Sequence, residues 1–316
     1  MPGSLTAKCA PAQGSGKSGQ NRSLAEVLRK KRLLFIRAGV ESPELSAQLL
    51  LAESLKLPRD ELLLELVLRP ETVLSTETLA IFERLCRRRL QGEPAAYILG
   101  RKEFYGRTFL VNAATLIPRP ETELLVDEAL KLFKTCPTGI FADLGTGSGC
   151  LAITLALELP GWKGVGADIS AEACRMAGLN AQKLGAPGLS GRLGIIRADF
   201  TRDFLQPESV HLLVSNPPYI SDDEYAGLDA GVRSYEPKIA LVPRSSSSKA
   251  SGLEYLEIIC KKAVYALKPG GVLLLEMGSR QGQAIRGFFQ NGLGGARSVR
   301  IIRDLAGMDR VCAVKK

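Results

Sequence analysis

Histidine is nearly absent: the 316 residues hold one, His211, and one tryptophan. A Ser-His-Asp triad would have to run through that single imidazole. It sits in SVHLLVSN, a strand-like stretch where a structural role is expected, so nucleophilic hydrolase chemistry is disfavoured. Paired cysteines are missing too. The seven cysteines (Cys9, Cys86, Cys136, Cys150, Cys174, Cys260 and Cys312) are odd in number and form no C-x-x-C pair. That argues against a zinc site or a disulfide framework and predicts reduced, mostly buried thiols. Long apolar runs are also lacking. LAITLALEL at 151–159 and GVLLLEM at 271–277 fall well short of the roughly 20 residues that span a bilayer. The first twenty residues are rich in Gly, Ser, Lys and Pro without an apolar h-region, so a cytoplasmic protein with no membrane association is expected.

What is present is ordinary for a globular chain, with 45% hydrophobic and 24% charged residues, which excludes wholesale disorder. At roughly 100–200 residues per domain, the length suggests two domains. Lysine and arginine exceed the acids to give +9, a balance compatible with nucleic acid, an RNA-rich partner or plain solubility. The excess is uneven. Lys8, Lys17, Arg22, Arg29, Lys30, Lys31, Arg32 and Arg37 face one carboxylate, Glu26, before residue 40.

Residues 1–21 read as a flexible tail. Ser23 followed by Glu26 makes a capping box, and Leu24, Val27 and Leu28 open an apolar helix face. Ser42 before Pro43 offers another N-cap, Asp60 is placed to cap ELLLEL, and Thr76 to open the next helix. The stretch 22–92 is thus predicted to be a bundle of four or five helices. Arg87, Arg88 and Arg89 suit the C-terminal end of the last of them. Residues 93–113 read as a linker with a β-hairpin near 102–111. From 114 to 316 a helix at 121–133 leads into strands at 139–145, 163–170, 193–199, 211–216 and 271–277 and a late pair near 297–303 and 309–315, with helices between the earlier ones. That rhythm predicts an α/β, doubly wound, mostly parallel sheet with a reversed final strand. The segment 243–252 is Ser-rich and predicted to be a loop.

Three groups of residues carry chemistry. Gly145, Thr146, Gly147, Ser148 and Gly149 follow the first strand of the sheet, where glycines allow a tight turn and close approach of a ligand beside a helix N-terminus. The spacing is G-x-G-x-G rather than the dinucleotide G-x-G-x-x-G, and no Walker lysine follows. Alone this is a weak signal, equally that of a plain turn. Asp168, about 23 residues after Gly145, ends the second strand, where an acid accepts hydrogen bonds from both ribose hydroxyls of a nucleoside. The most specific group is Asn216, Pro217, Pro218 and Tyr219, directly after the fourth strand. The Asn216 side-chain oxygen and a proline carbonyl both accept from one planar NH2 group, while the tyrosine ring packs on its face. An amide nitrogen is a poor nucleophile because its lone pair is delocalised. Acceptors that hold its hydrogens orient the lone pair and stabilise charge developing on nitrogen. Such an arrangement suits attack on an electrophilic methyl group and needs no histidine.

These three groups resemble a class I S-adenosylmethionine-dependent methyltransferase, a Rossmann-like fold, in the branch that modifies planar nitrogens. GEPAAYILGRKEFYGRTFLV, LIPRPETE at 116–123, Tyr235-Glu236-Pro237, Gly252-Leu253 and GGVLLLEMGSRQG are similar to the HemK family, the glutamine methyltransferases of peptide chain release factors. The resemblance runs from residue 23 to the C-terminus. It implies transfer of methyl from S-adenosylmethionine to the side-chain nitrogen (N5) of the glutamine in the Gly-Gly-Gln tip of class I release factors, in support of translation termination. The coproduct would be S-adenosylhomocysteine, and no metal is implied. Residues 145–149 would line the methionine side of the cofactor, Asp168 would hold the ribose, and Phe200 would lie near the adenine. Asn216 would bridge cofactor and substrate; with Pro217, Pro218 and Tyr219 it would grip the glutamine amide, and Arg119 would join the substrate side. The helical domain would hold the release factor. A monomer is the default.

Some positions depart from the family pattern. Phe200 stands where many relatives carry tryptophan, His211 replaces a common acid, 245–250 reads as an insertion, and Ser251 stands where an acid often precedes Gly-Leu. Two other readings compete. An adenine or guanine N-methyltransferase acting on DNA or RNA would use the same N-P-P-Y geometry and the +9 charge. Against it, the chain carries no dedicated nucleic-acid module and no aromatic-interleaved basic stripe, so no direct nucleic-acid binding is expected. A ribosome-associated protein with a degenerate methyltransferase fold would carry damage in the glycine turn or in N-P-P-Y, and both are intact.

Overall fold

The computed structural model describes residues 22–185, 188–245, 249–293 and 295–316. The tail 1–21 and the centre of the Ser-rich stretch therefore lie outside the described residues. The chain divides into two compact units after Leu99.

The first unit holds α1 (Leu24–Arg37), α2 (Pro43–Leu55), α3 (Arg59–Leu68), α4 (Thr76–Leu90) and α5 (Ala95–Leu99). Their apolar faces, among them Leu24, Phe35, Leu50, Leu55, Leu62 and Phe82, close one core. The Ser23 hydroxyl accepts from the Glu26 amide as the capping box predicts. At three other starts the predicted residue makes no side-chain cap bond, although Ser42 and Thr76 stand at the predicted starts. Ser42 occupies the N-cap before Pro43 but at φ 48°, with no side-chain cap bond. Asp60 lies inside the first turn of α3, because the extended backbone of Pro58 starts that helix and the Pro58 carbonyl accepts from the Leu62 amide. Ser75, not Thr76, caps α4, accepting from the Thr78 amide at 3.1 Å. Two of the three arginines at the end of α4 are held structurally: Arg88 Nε donates to Glu93 Oε2 at 2.7 Å and Arg89 Nη1 to the Glu93 carbonyl.

In the second unit a hairpin of β1 (Arg101–Phe104) and β2 (Arg107–Leu110) precedes a Pro120–Thr122 3-10 turn and α6 (Glu123–Phe133). The predicted helix at 121–133 therefore splits in two, Pro120 opening the tighter turn. The division after Leu99 falls inside the stretch 93–113, with α5 in the helical unit and the hairpin in the second. Asn180 clamps the hairpin from below. Its Oδ1 accepts from the Leu110 amide and its Nδ2 donates to the carbonyls of Leu110 and Ser148.

Beyond the hairpin, β3 (Gly139–Leu144), α7 (Cys150–Glu158), β4 (Trp162–Asp168), α8 (Ala171–Gly185), β5 (Leu193–Arg197) and β6 (Val210–Ser215) follow in turn. Two short helices, α9 (Asp222–Gly227) and α10 (Ala230–Tyr235), precede α11 (Glu254–Ala266), β7 (Leu267–Glu276), α12 (Gly282–Phe288), β8 (Ser298–Arg303) and β9 (Asp309–Lys315). The seven strands are ordered β5-β4-β3-β6-β7-β9-β8, parallel except where β9 pairs antiparallel with β7 and β8. Alternation along the strands feeds two cores. Phe141, Leu212 and Val214 face one layer with α6 and α7, while Ala142, Leu144 and Leu213 face the other with α11. From β3 the chain winds outward through β4 and β5, then returns to place β6 on the other side of β3. This leaves a crevice outside the carboxyl ends of β3 and β6, the position where open α/β sheets hold ligands.

His211 is structural, as expected. Its Nδ1 accepts from the Ile140 amide at 3.1 Å, and its ring meets Trp162 edge-on. Burial lowers its pKa, which favours the neutral form that this acceptor role needs. The thiols are less buried than predicted. Of the six described, Cys86, Cys260 and Cys312 are buried, Cys150 and Cys174 half-buried and Cys136 exposed, all of them free.

Candidate functional site

Three strand ends meet in the crevice. β3 delivers the glycine turn, β4 ends on Asp168, and Asn216 follows β6. They line a cleft of about 950 Å³, counted out to its open mouth, with Leu151, Ile169, Phe200 and Tyr255 as apolar walls.

The turn owes its shape to glycines at positive φ, Gly145 at 77° and Gly147 at 56°, a region costly for residues with a Cβ. A Cβ at Gly145 would stand 3.9 Å from the Phe200 ring, and one at Gly147 would meet nothing within 4 Å. Both residues line the cleft, so side chains there would take up its space. Thr146 and Ser148 line it as well, whereas Gly149 is not among the lining residues. A Cβ on Gly149 would come within 2.8 Å of Ile153 Cδ1, so its place is in packing α7 against α8. Thr146 Oγ1 donates to Asp143 Oδ2 at 2.7 Å. Asp143 is fully buried, and burial pushes its carboxyl up to about 7.

Asp168 is tied to the turn it faces. Its Oδ2 accepts from the Gly147 amide and its Oδ1 from the Ser170 amide, both at 2.9 Å. Burial raises its carboxyl, while the backbone amides of Ser170, Gly147 and Ile169 oppose that shift. Phe200 is 8% exposed and meets the Tyr255 ring edge-on at 5.0 Å between centroids.

Asn216 lines both this cleft and a second, smaller one of about 490 Å³, also bounded by Pro217, Tyr219, Ile220 and Arg119. Pro218 faces the larger cleft. Asn216 Nδ2 donates to Thr122 Oγ1 at 2.9 Å. Arg119 borders both clefts and pairs with Glu236, 2.5 Å away. Tyr219 Oη donates to Glu276 Oε1, and burial raises its phenol well above the usual range.

All the residues singled out from the sequence except Gly149 therefore border one of the two clefts. Thr122, Glu276, Asn180 and Tyr255 were not singled out as site residues. The signal for Glu276 is a lone carboxylate ending an apolar strand. For Asn180 it is an amide on the buried side of α8. Among the described residues, no group of three or more His, Cys, Asp or Glu side chains could hold a metal ion. Among them, too, no helix is long and apolar enough to cross a membrane.

The N-terminal residues 26–100 match a family model described as the PrmC N-terminal domain, and 121–229 match the methyltransferase small domain. The release factor glutamine methyltransferase of Nitratidesulfovibrio vulgaris is 41% identical over 293 residues, 93% of this chain and 95% of that protein. The enzyme of the same name from Chlorobaculum tepidum is 38% identical over 298 residues, 91% of this chain and 95% of that one. Among solved structures, the release factor-specific protein-(glutamine-N5) methyltransferase of Alicyclobacillus acidocaldarius is 30% identical. It covers 66% of this chain and 99% of its own, at a TM-score of 0.38. The seven-stranded sheet with its reversed final strand is the class I S-adenosylmethionine-dependent methyltransferase fold, and the chain belongs to the release factor glutamine methyltransferase family.

Proposed function

We propose that this protein transfers a methyl group from S-adenosylmethionine to the side-chain amide nitrogen of the glutamine in the Gly-Gly-Gln tip of class I release factors. The observation that carries the reading is the position of Asn216, which borders both the cleft holding Asp168 and the glycine turn and the smaller cleft beside Tyr219. A group shared by two pockets is placed to bring two ligands together.

The larger cleft fits the cofactor on four counts. Its glycine turn leaves room that a Cβ would fill. Asp168 presents a half-buried carboxylate at a strand end, suited to ribose hydroxyls. The Ser148 hydroxyl, buried and without a hydrogen-bond partner among the described residues, supplies a polar contact on the methionine side, alongside Gly145, Thr146 and Gly147. Phe200 and Tyr255 offer an apolar wall for the adenine. When bound, S-adenosylmethionine supplies an electrophilic methyl group on a sulfonium. The protein's task is to make an amide nitrogen attack it. Asn216 Oδ1 and a carbonyl of the Pro217-Pro218 pair accept the two amide hydrogens, and the Tyr219 ring covers the amide face. These acceptors hold the lone pair in line and gain strength as positive charge grows on nitrogen. The transfer would exchange the cofactor's C–S bond for a C–N bond, with S-adenosylhomocysteine as coproduct and one amide proton released to water, while Asn216, Pro217, Pro218 and Tyr219 would hold the nitrogen in place.

On this reading, Arg119 belongs to the substrate side and helices 22–92 hold the body of the release factor. The partner is thus a protein, with no nucleic acid required. The chain would act as a monomer in the cytoplasm, where release factors work. Asn216→Ala tests the assignment, with turnover read from labelled S-adenosylmethionine and cofactor affinity from calorimetry. Turnover should collapse while the cofactor Kd stays within a few-fold, because the lost acceptor matters most in the transition state. Equal losses in both would make Asn216 a cofactor-holding group and contradict its role as the transition-state acceptor.

A further inference from the structure

The Asn216 amide has two ends, and only its oxygen is useful to a substrate NH2 group. A buried chain of hydrogen bonds reaches its other end. Glu276, 1% exposed, ends β7, which lies beside β6 with Leu275 opposite Ser215. Thr122, 2% exposed, ends the 3-10 turn of the string 116–123. Thr122 Oγ1 donates to Glu276 Oε2 at 2.7 Å, and Asn216 Nδ2 donates to Thr122 Oγ1 at 2.9 Å. The second carboxylate oxygen, Oε1, accepts from Tyr219 Oη at 3.3 Å. Strand order places Glu276 next to the N-P-P-Y segment, and the turn before α6 slots Thr122 between them.

We propose that Glu276 and Thr122 form a polarity relay that fixes which end of the Asn216 amide faces the substrate, making both of them positioning residues for the transfer. This rests on the glutamine reading above and adds to it how the acceptor is aimed. Glu276 sets the relay in its ionised form, which it takes as pH rises past about 7, because an ionised carboxylate only accepts, whereas a threonine hydroxyl has one hydrogen to give. With that hydrogen committed to Glu276, Thr122 Oγ1 can only accept from Asn216. The Asn216 NH2 therefore turns to Thr122, and its oxygen is left for the cleft. Remove the carboxylate and the hydroxyl is free to donate to Asn216 Oδ1. The amide then turns round and sets donor against donor at the substrate nitrogen. The same carboxylate anchors the Tyr219 ring, so one buried group aligns two members of the grip. Being buried, such a network is strong when complete and costly when broken.

The test compares Thr122→Val, Thr122→Ser and Glu276→Leu in the full chain. Thr122→Val keeps the shape and removes the hydroxyl. It should lower kcat roughly tenfold or more, with the release factor KM and the cofactor Kd within about twofold. Thr122→Ser should recover most of the loss, and Glu276→Leu combined with Thr122→Val should cost less than the two single losses multiplied together, since both cut the Thr122 branch, the remainder reporting the freed Tyr219 ring. A second readout needs no substrate. In 15N spectra, one Asn216 side-chain amide proton should exchange slowly in wild type and Thr122→Ser, and fast in Thr122→Val. Wild-type turnover in Thr122→Val, or an Asn216 amide signal unmoved by it, overturns the relay. A wild-type enzyme that leaves the release factor unlabelled overturns the glutamine reading instead, and the amide spectrum still decides the relay.

Discussion

Arg119 Nη2 lies 2.5 Å from Glu236 Oε1, and Glu236 Oε2 accepts from the Ile117 amide at 3.2 Å. One carboxylate, 1% exposed in its side chain, thus staples the string 116–123 to the turn after α10, on the border of both clefts. Glu236→Ala would leave the Ile117 amide and the guanidinium without this partner. It should cost about 2–3 kcal/mol of stability in urea unfolding, and lower kcat/KM by loosening the wall that carries Thr122. A midpoint equal to wild type would show that the staple contributes nothing.

Asp168→Ala should weaken cofactor binding at least tenfold by calorimetry. It removes the carboxylate aimed at the ribose and releases the Gly147 amide that shapes the turn. Turnover at saturating cofactor should fall less than affinity does. An unchanged Kd would take Asp168 out of the site.

Phe200→Ala should weaken the cofactor and also cost about 3 kcal/mol, because the ring is buried against Tyr255. Phe200→Trp should keep the cofactor Kd close to wild type, since a larger aromatic still closes the cleft. A Phe200→Ala protein with lower stability and full affinity would assign the ring to the core alone.

Stability should fall as pH rises from about 4 to about 7. Burial lifts the carboxyls of Asp143 and Glu276 up to about 7, from ordinary values of 3.8 and 4.5. Between those limits the folded state binds more protons than the unfolded chain, so unfolding free energy drops with pH and levels off above 7. Asp143→Asn removes one titration and should flatten that slope in urea midpoints measured across the window. A slope identical to wild type would show that Asp143 ionises normally.

The cofactor side of the site was legible because its signals are local. A glycine turn and a strand-ending acid are set by spacing along the chain, and N-P-P-Y is contiguous. The sheet was legible for the same reason, its strands being short apolar runs between helices. Helix starts were harder. Ser42, Asp60 and Thr76 are good capping types, but the backbones at Ser42 and Pro58 and the neighbouring Ser75 decided the caps. Thr122 and Glu276 escaped notice as a pair because 154 residues separate them. Only the sheet order, with β7 beside β6, brings them to Asn216.

The central claim is the identity of the acceptor, and one labelling experiment tests it most directly. Labelled S-adenosylmethionine is offered with wild-type release factor, with a variant whose tip glutamine is alanine, and with duplex DNA and ribosomal RNA in parallel. The account predicts label on the wild-type factor alone, mapped to the tip glutamine. Label on nucleic acid, or equal label on the alanine variant, would leave the fold and the cleft in place and contradict the function.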